Sequence, residues 1–315
     1  MGTLLGVLHV RVVCEPTLTP TVLEIIRAQA GVTNVTLHSA VVLEPPGDIV
    51  TGDIAREATS ELLGKLRAAG TEENGSVILA DLDTALGKHV EVALLASPRV
   101  EDDALIWEQL EAETGEESSQ SVTYLAFLTI ALLIAAVGLL TDSPILIVGA
   151  MVLGPEFAPL AGLAVAIKRR NRQRAVRSLR AVAVGFALGI LVTAAVVAIL
   201  RAAGEVPTAY LRGNEPLTSF VSHPNVYSVI VALLAGVAGT LSLTAAKSTA
   251  LVGVFISVTT VPAAAGIATA AVNGHYSDAW GATVQLIVNL LCIVAAAFVT
   301  LSVSERLTHS QPKRD

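Results

Sequence analysis

Long apolar runs fill the part of the chain that follows Ser121, and their length predicts that they cross a membrane. Each run holds about 20 residues, which at helical rise spans roughly 30 Å of hydrocarbon. We predict six transmembrane helices, at residues 122–140, 144–167, 181–200, 226–246, 249–272 and 280–303. Residues 121–304 are therefore expected to form an α-helical integral membrane domain.

The first 82 residues follow a different pattern, in which short alternating segments and helical segments take turns. Strands are predicted at residues 2–13, 32–43, 48–51 and 76–82, and helices at residues 18–29 and 53–69. The order βαββαβ is typical of a ferredoxin-like α+β domain, with two helices on one face of an antiparallel sheet.

Charge is divided unevenly along the chain. Residues 1–124 hold 20 acidic and 7 basic side chains, a net charge of −13, whereas residues 125–315 hold 7 acidic and 13 basic ones. The first part would repel a polyanion, so no nucleic-acid partner is expected. Residues 83–120 are predicted to be an acidic linker, with a short helix around residues 104–112.

Basic residues in the short connections predict the orientation of the spans. Seven Lys and Arg side chains lie in residues 168–180, between the second and third predicted spans. Because such clusters stay on the cytoplasmic side, both termini, including the tail 305–315, are expected to be cytoplasmic. The cell membrane is the expected location, and membrane lipids, anionic ones among them, are expected partners.

The composition agrees with a membrane protein and gives no support for an enzyme. Hydrophobic residues make up 53% of the chain and charged residues 15%, and the mean hydropathy is +0.68. The two cysteines, Cys14 and Cys292, lie far apart, and the six histidines are scattered. Because no nucleotide-binding or catalytic motif occurs either, we predict no enzyme activity, no metal site and no cofactor.

The membrane part matches itself when it is shifted by 104 positions. Residues 141–149 then lie over residues 245–253, and Gly162 lies over Gly266, while Pro159 and Pro262 are out of register by one position. Because three spans separate the two copies, the second copy must run through the membrane in the opposite sense. This predicts a 3+3 inverted repeat, an arrangement that recurs in secondary transporters.

The first copy contains a break at membrane depth. Pro155 and Pro159 lack the N–H groups that would bond to the carbonyls of Met151 and Pro155, and the residue before each proline, Gly154 at the first, is expected to leave the helical conformation. Freed carbonyls in hydrocarbon must be covered by protein or line an aqueous cavity. Glu156 lies inside this break, where an acid costs on the order of 2.5–3.5 kcal/mol unless it is paired, protonated or solvated.

The second copy has a matching break. Pro262 follows three hydroxyl residues, Ser257, Thr259 and Thr260, that lie beside the carbonyl that this proline frees. A kink that merely improves packing is the structural alternative for both breaks.

Four further polar residues are secondary candidates. Gln285 and Asn289 are four apart on one face of the last span, where they either line a pathway or bond neighbouring helices. Asp142 precedes Pro144 and fits a helix N-cap. Lys247 lies in a turn and either reaches the interface or contacts a permeating species.

Two stretches, DSPILIVGAMVLGPEFAPLAGLAVAI at 142–167 and SVTTVPAAAGIATAAVNGHYSDAWGATVQLIVNLLCIVAAAFVTL at 257–301, resemble the prokaryotic "uncharacterized hydrophobic domain" family, domain of unknown function 389. The resemblance covers roughly the last two thirds of the chain. The family's hallmarks map onto Gly149, Met151, Pro155, Pro159 and Pro262. The chain departs from the family pattern at Glu156, where the pattern is apolar. The resemblance implies a membrane fold and leaves the activity open.

Two functions follow from these features. In the first, the six spans form a transporter or channel for a small polar solute or ion, Glu156 binds a cation or a proton, and the freed carbonyls complete the site. In the second, the protein is a membrane-anchored sensor or oligomeric scaffold whose cytoplasmic domain binds a ligand or partner. A homo-oligomer is expected under both.

Overall fold

The computed structural model describes residues 7–82, 85, 87–96, 121–213, 217–223, 225–244 and 259–309. The chain divides into two compact units. The first, here the N-terminal unit, comprises Met1–Glu108 with Leu307–Asp315, and the second, the helical unit, comprises Gln109–Arg306.

The N-terminal unit contains a four-stranded antiparallel sheet in the order β2-β3-β1-β4. Its strands are β1 (Val7–Cys14), β2 (Val32–Leu43), β3 (Pro46–Ala55) and β4 (Gly75–Asp81). Its helices are α1 (Thr19–Ala28), α2 (Arg56–Ala68) and α3 (Lys88–Ala96). Up to β4 the elements follow the predicted order βαββαβ.

Buried and less buried residues alternate along β1, and this alternation shows which face of the sheet is covered by helices. Every second residue, from Leu8 to Cys14, is buried, and these side chains form one apolar core with residues of α1 and α2. The residues between them face the other way: His9 Nδ1 lies 2.8 Å from Asp53 Oδ1, and Asn34 donates to the second oxygen of Asp53 at 2.7 Å. The sheet thus has one apolar face under two helices and a polar face opposite.

One boundary differs from the prediction, and one helix was not predicted. β3 extends to Ala55 because it pairs with β1 along its whole length, so α2 begins at Arg56 rather than at residue 53. The helix α3 lies within the segment predicted to be a linker. The short helix predicted around residues 104–112 lies outside the described residues.

Asp48 stabilises the irregular end of β2. The backbone of Ala40 has φ 56° at a register shift between β2 and β3, and its N–H donates to Asp48 Oδ1 at 2.8 Å. Thr19 donates its hydroxyl to the other oxygen at 2.7 Å. The Ala40 amide first, and the Thr19 hydroxyl second, lower the pKa of Asp48 below its usual value.

The helical unit contains eight described α-helices. They are α4 (Val122–Leu140), α5 (Pro144–Leu153), α6 (Phe157–Lys168), α7 (Arg172–Ala202), α8 (Thr208–Leu211), α9 (Val226–Thr244), α10 (Thr260–Asn273) and α11 (Tyr276–His309). In the described part of the chain, α4, α7, α9 and α11 are each long and apolar enough to cross a membrane, and α5 with α6 makes a fifth, bent candidate. These helices fit a multi-pass membrane protein.

Five of the six predicted spans coincide with described candidates: four with α4, α7, α9 and α11, and the second with the bent pair α5 and α6. The basic segment 168–180 is largely helical, because α7 begins at Arg172, where the Asn171 side chain accepts the N–H of Arg174 as an N-cap. The predicted fifth span is described only as α10, a shorter apolar helix, because residues 249–258 lie outside the described residues.

Small residues let the helices of this unit approach closely. α10 packs against α4 and α7, and α4 also packs against α5. A side chain at Gly138 would meet Ile147 of α5, one at Gly185 would meet Tyr124 of α4, and one at Gly236 would meet the backbone of Ile293 in α11. Close packing of this kind is the main attraction between helices in lipid.

The lowered pKa of Asp48 gives a pH dependence of definite sign. The carboxylate contributes stability above the ordinary aspartate pKa of about 3.9, and that contribution is lost as the pH falls through the lower folded value. Asp48→Asn should therefore lower the hydrogen-exchange protection of the Ala40 amide at pH 7, and the two proteins should converge once the pH falls below the lowered pKa of Asp48. Exchange measured by mass spectrometry on the full chain, in a peptide that covers residues 36–43, checks this. A difference that stays constant down to acid pH would contradict it.

Candidate functional site

The chain leaves the helical conformation between α5 and α6, as the sequence predicts for Gly154. Gly154 ends α5 with an extended backbone, φ −69° and ψ 121°, and Glu156 occupies the N-cap position of α6. Proline at 155 has no N–H for the helix and disfavours a helical residue before it, so the break follows directly from the sequence. The two helices are bent by 49°.

Pro159 does not contribute a second interruption, which corrects the sequence prediction. It is the third residue of α6, and the residue before it, Ala158, is helical. A proline is tolerated there because the first-turn N–H groups have no partner within the helix. Pro262 is likewise the third residue of α10. Both short helices therefore begin with the same arrangement.

Glu156 is buried, with 5% of its surface exposed, and the two short helices meet at its side chain. The hydroxyl of Thr260, the first residue of α10, donates to Glu156 Oε1 at 2.6 Å. Glu156 and Thr260 are 104 positions apart, the same shift that superposes the two halves of the sequence. The second oxygen, Oε2, has no hydrogen-bond partner among the described residues. A buried acceptor without a partner costs free energy, so this atom marks a place where a donor or a cation would be stabilised.

Gly154 leaves the space that the Glu156 carboxylate occupies. A Cβ at this position would overlap Glu156 Oε2 and would lie 2.7 Å from a methyl carbon of Val261 in α10. The position of the acid, rather than the backbone conformation at 154, therefore accounts for the glycine.

Two amides of α11 complete the polar group. Gln285 Nε2 and Asn289 Nδ2 donate to the Thr259 hydroxyl oxygen at 3.1 and 2.9 Å, and both side chains are 1% exposed. Gln285 Oε1, like Glu156 Oε2, is buried without a partner among the described residues. Since Thr259 and Thr260 are consecutive, one cluster forms at the start of α10. We call it the polar cluster: Glu156, Thr259, Thr260, Gln285 and Asn289.

The chemistry of the polar cluster favours a positive occupant. Both unpartnered atoms are oxygens and accept hydrogen bonds. The last carbonyls of α5, Met151 among them, also end at the break and have no partner within their helix. The starts of α6 and α10 carry positive partial charge, which compensates the carboxylate. Among the described residues no three His, Cys, Asp or Glu side chains gather in a group that could hold a metal ion.

The remaining predicted site residues lie elsewhere. Met151 packs in the apolar core, and Pro155 is half-buried at the break. Asp142 is not a helix cap, because its carboxylate accepts the Leu217 N–H at 3.2 Å and the Thr218 hydroxyl at 2.9 Å and so holds the connection between α8 and α9. Ser257 and Lys247 lie outside the described residues.

Tyr124 is a buried polar residue that is not among the site residues predicted from the sequence. Its hydroxyl, on a residue in the first turn of α4, is buried without a partner among the described residues. The available signal was a phenol in an otherwise apolar span. Such residues place a polar atom inside the protein only when a neighbouring helix offers room, which a single sequence does not show.

A substitution that adds one methyl group at position 154 tests the role of Gly154. Gly154→Ala should displace the Glu156 carboxylate, break its bond to Thr260 and lower the stability by about 1–3 kcal/mol. Gly149→Ala is the matched control, because it lies in the same helix and a Cβ there meets nothing within 4 Å. Thermal unfolding in detergent checks both. Equal melting temperatures of the two variants would show that the carboxylate does not occupy this space.

Comparison with known proteins agrees with the resemblance noted in the sequence. An uncharacterized protein of Methanocaldococcus jannaschii is 23% identical over 202 residues, which cover 64% of this chain and 60% of the relative. The chain thus spans about 60% of that protein's length. No solved structure matches the chain. The model of the family described as "Domain of unknown function (DUF389)" matches residues 151–295, which include the whole polar cluster, so this part of the chain is similar to that family.

Proposed function

We propose that the helical unit transports or conducts a small polar solute or ion, with a cation or a proton bound at Glu156. The observation that carries the proposal is the buried carboxylate at the break between α5 and α6, where one oxygen bonds to Thr260 and the other has no partner among the described residues.

Retaining Glu156 at membrane depth costs free energy. An acidic side chain at membrane depth costs on the order of 2.5–3.5 kcal/mol, and one hydrogen bond with two helix starts compensates only part of that cost. No Lys, Arg or His among the described residues pairs with Glu156. A bound cation or proton would compensate the remainder, and such residues usually mark ion pathways.

The relation between the halves supports a transporter architecture. In our proposal the chain forms six spans, as a 3+3 inverted repeat with a ferredoxin-like N-terminal domain. The repeat is supported by the contact between Glu156 and Thr260, which are equivalent under the 104-position shift, and by the proline at the third position of both short helices. Broken helices that meet at the midplane are a recurring way to build a substrate site.

Location and assembly complete the proposal. We place the protein in the cell membrane with both termini in the cytoplasm, on the strength of the basic residues around the start of α7. We expect contacts with membrane lipids and a homo-oligomer, no nucleic-acid partner, and no enzymatic activity or cofactor. Cross-linking in membranes tests the oligomer.

A sensor or scaffold remains the second candidate, and one observation favours it. The polar face of the N-terminal sheet carries the His9–Asp53–Asn34 network and the exposed Arg11, groups that suit binding of a ligand or a partner. In this alternative the helices only anchor the protein.

Flux through liposomes separates the two functions. The purified protein should move at least one solute from a panel of small ions and polar metabolites. Glu156→Gln removes the charge but keeps an acceptor for Thr260, and loss of a charged hydrogen-bonding group costs about 1.5–3 kcal/mol. The rate should therefore fall by about ten- to a hundredfold.

Glu205→Gln is the control, because Glu205 is exposed and lies away from the break. No protein-dependent flux across the whole panel would contradict transport and favour the sensor. Flux that Glu156→Gln leaves unchanged would leave a transporter whose site is elsewhere.

A further inference from the structure

Tyr124 is not part of the polar cluster, although its hydroxyl is buried. The side chain is 5% exposed, and Oη has no hydrogen-bond partner among the described residues. Buried phenols usually find a partner, since leaving one without costs free energy. A bound water molecule would supply the hydrogen-bond partner that the Tyr124 hydroxyl lacks.

The position of the phenol is determined by α7. A Cβ at Gly185 would lie 2.9 Å from Tyr124 Oη and 2.8 Å from a carbon of its ring. The absence of a side chain at Gly185 therefore makes the space in which the hydroxyl lies. Leu128 of α4 lies against the same glycine, so the surrounding wall is apolar.

Tyr124 and Glu156 lie at successive depths in the helical unit. α4 and α5 are joined by the turn at residues 141–143 and pack against each other. Tyr124 lies 16 residues before the end of α4, about 24 Å from that turn, whereas α5 reaches the break after 10 residues, about 15 Å. Tyr124 is thus about 9 Å nearer than Glu156 to the membrane face at which α4 begins.

Among the described residues, the charged side chains of the helices around Tyr124 and Glu156 lie toward helix ends. α4 contains no charged side chain, and neither do α5 and α10. The charged residues of the helices packed around them lie at helix ends: Lys168 of α6, Arg172, Arg174, Arg177, Arg180 and Arg201 of α7, and Asp278, Glu305 and Arg306 of α11. α11 also contains the titratable side chains Cys292, three residues beyond Asn289, and Tyr276 and His309 at its two ends.

The groups present suit a proton better than a metal cation. A metal ion bound by oxygen requires about six ligands. The described side chains offer two unpartnered buried acceptors near the break, and Thr259 already accepts two N–H bonds. A phenol hydroxyl, by contrast, donates one hydrogen bond while it accepts another, which is what transfer of a proton needs.

We propose that Glu156 exchanges protons with the aqueous phase at the face where α4 begins, and that the Tyr124 hydroxyl relays them. In each transfer the phenol gives its proton to a water molecule that passes one on to Glu156 Oε2. The phenol oxygen takes a proton from a water on its other side, and that water regains a proton from a hydronium ion of the aqueous phase. Tyr124 is unchanged afterwards, one proton has moved, and the carboxylate has become a carboxylic acid.

This inference rests on the proposed function and narrows it. It assigns the proton as the transported or coupling species at Glu156, and it assigns Tyr124 as the relay on one side of the site. A transporter that moves another solute through the same break without protons would leave the proposed function intact and would contradict this inference.

Tyr124→Phe removes one atom and keeps the ring in the space at Gly185. Because the oxygen has no partner among the described residues, the variant should fold with unchanged or higher stability. Proteoliposomes loaded with a pH-sensitive dye and subjected to a pH gradient measure its proton flux. The flux should fall by at least about tenfold, as expected when a proton-transfer group is removed.

Tyr227→Phe is the matched control, since Tyr227 lies in the first turn of α9 and is 77% exposed. It should conduct protons as the wild type does. Equal flux in Tyr124→Phe and Tyr227→Phe would overturn the relay. Absence of proton flux in the wild-type protein, with a solute flux that depends on Glu156, would overturn this inference and leave the proposed function standing.

Infrared spectroscopy supplies a second measurement that needs no flux. The protonated carboxyl band that Glu156→Gln removes should appear in the wild-type protein and shift quickly on transfer to heavy water. In Tyr124→Phe the same band should shift more slowly, which loss of packing alone would not produce. A wild-type protein without such a band, or identical exchange rates in the two proteins, would contradict the inference.

Discussion

A helix that is interrupted within a membrane must satisfy its free backbone and side-chain groups inside the protein. In the helical unit this requirement is concentrated where α5 ends and α6 and α10 begin. Pro155 ends one helix, Gly154 makes room for the acid that follows, and Thr260 supplies a hydroxyl from the other half of the sequence. The position of α10 is therefore coupled to the position of Glu156, and the break cannot be understood from one half of the sequence alone.

The polar cluster is only partly satisfied, and this incomplete state connects structure to function. Hydrogen bonds from Gln285 and Asn289 to the Thr259 hydroxyl oxygen hold the cluster together, while Glu156 Oε2 and Gln285 Oε1 keep free acceptor capacity. A purely structural network would have no reason to leave such atoms buried and open. The same reasoning applies to Tyr124, whose hydroxyl extends the row of unsatisfied polar atoms toward one face of the unit.

The sequence predicted those features that depend on local pattern. Alternation identified β1, hydropathy identified α4, and the proline rule identified the break at Gly154, because each follows from short-range sterics or burial. The prediction that Pro159 interrupts the helix is wrong, because whether a proline interrupts or begins a helix depends on where the chain has already turned. The hydrogen bond between Glu156 and Thr260 depends on the packing of α10 against α4 and α7, and the buried hydroxyl of Tyr124 depends on the space at Gly185. Neither contact can be predicted from local sequence pattern.

Whether water reaches the break is the central question, and the accessibility of single cysteines measures it most directly. Thr259→Cys, made in a chain without Cys14 and Cys292, places a thiol in the polar cluster and keeps Pro155, and Val137→Cys places one on the exposed apolar surface of α4. We expect a membrane-impermeant, charged thiol reagent to modify the cysteine at 259 in intact membranes and to spare the one at 137. Protection at 259 equal to that at 137 would mean that the polar cluster at the break is sealed, and would contradict the account.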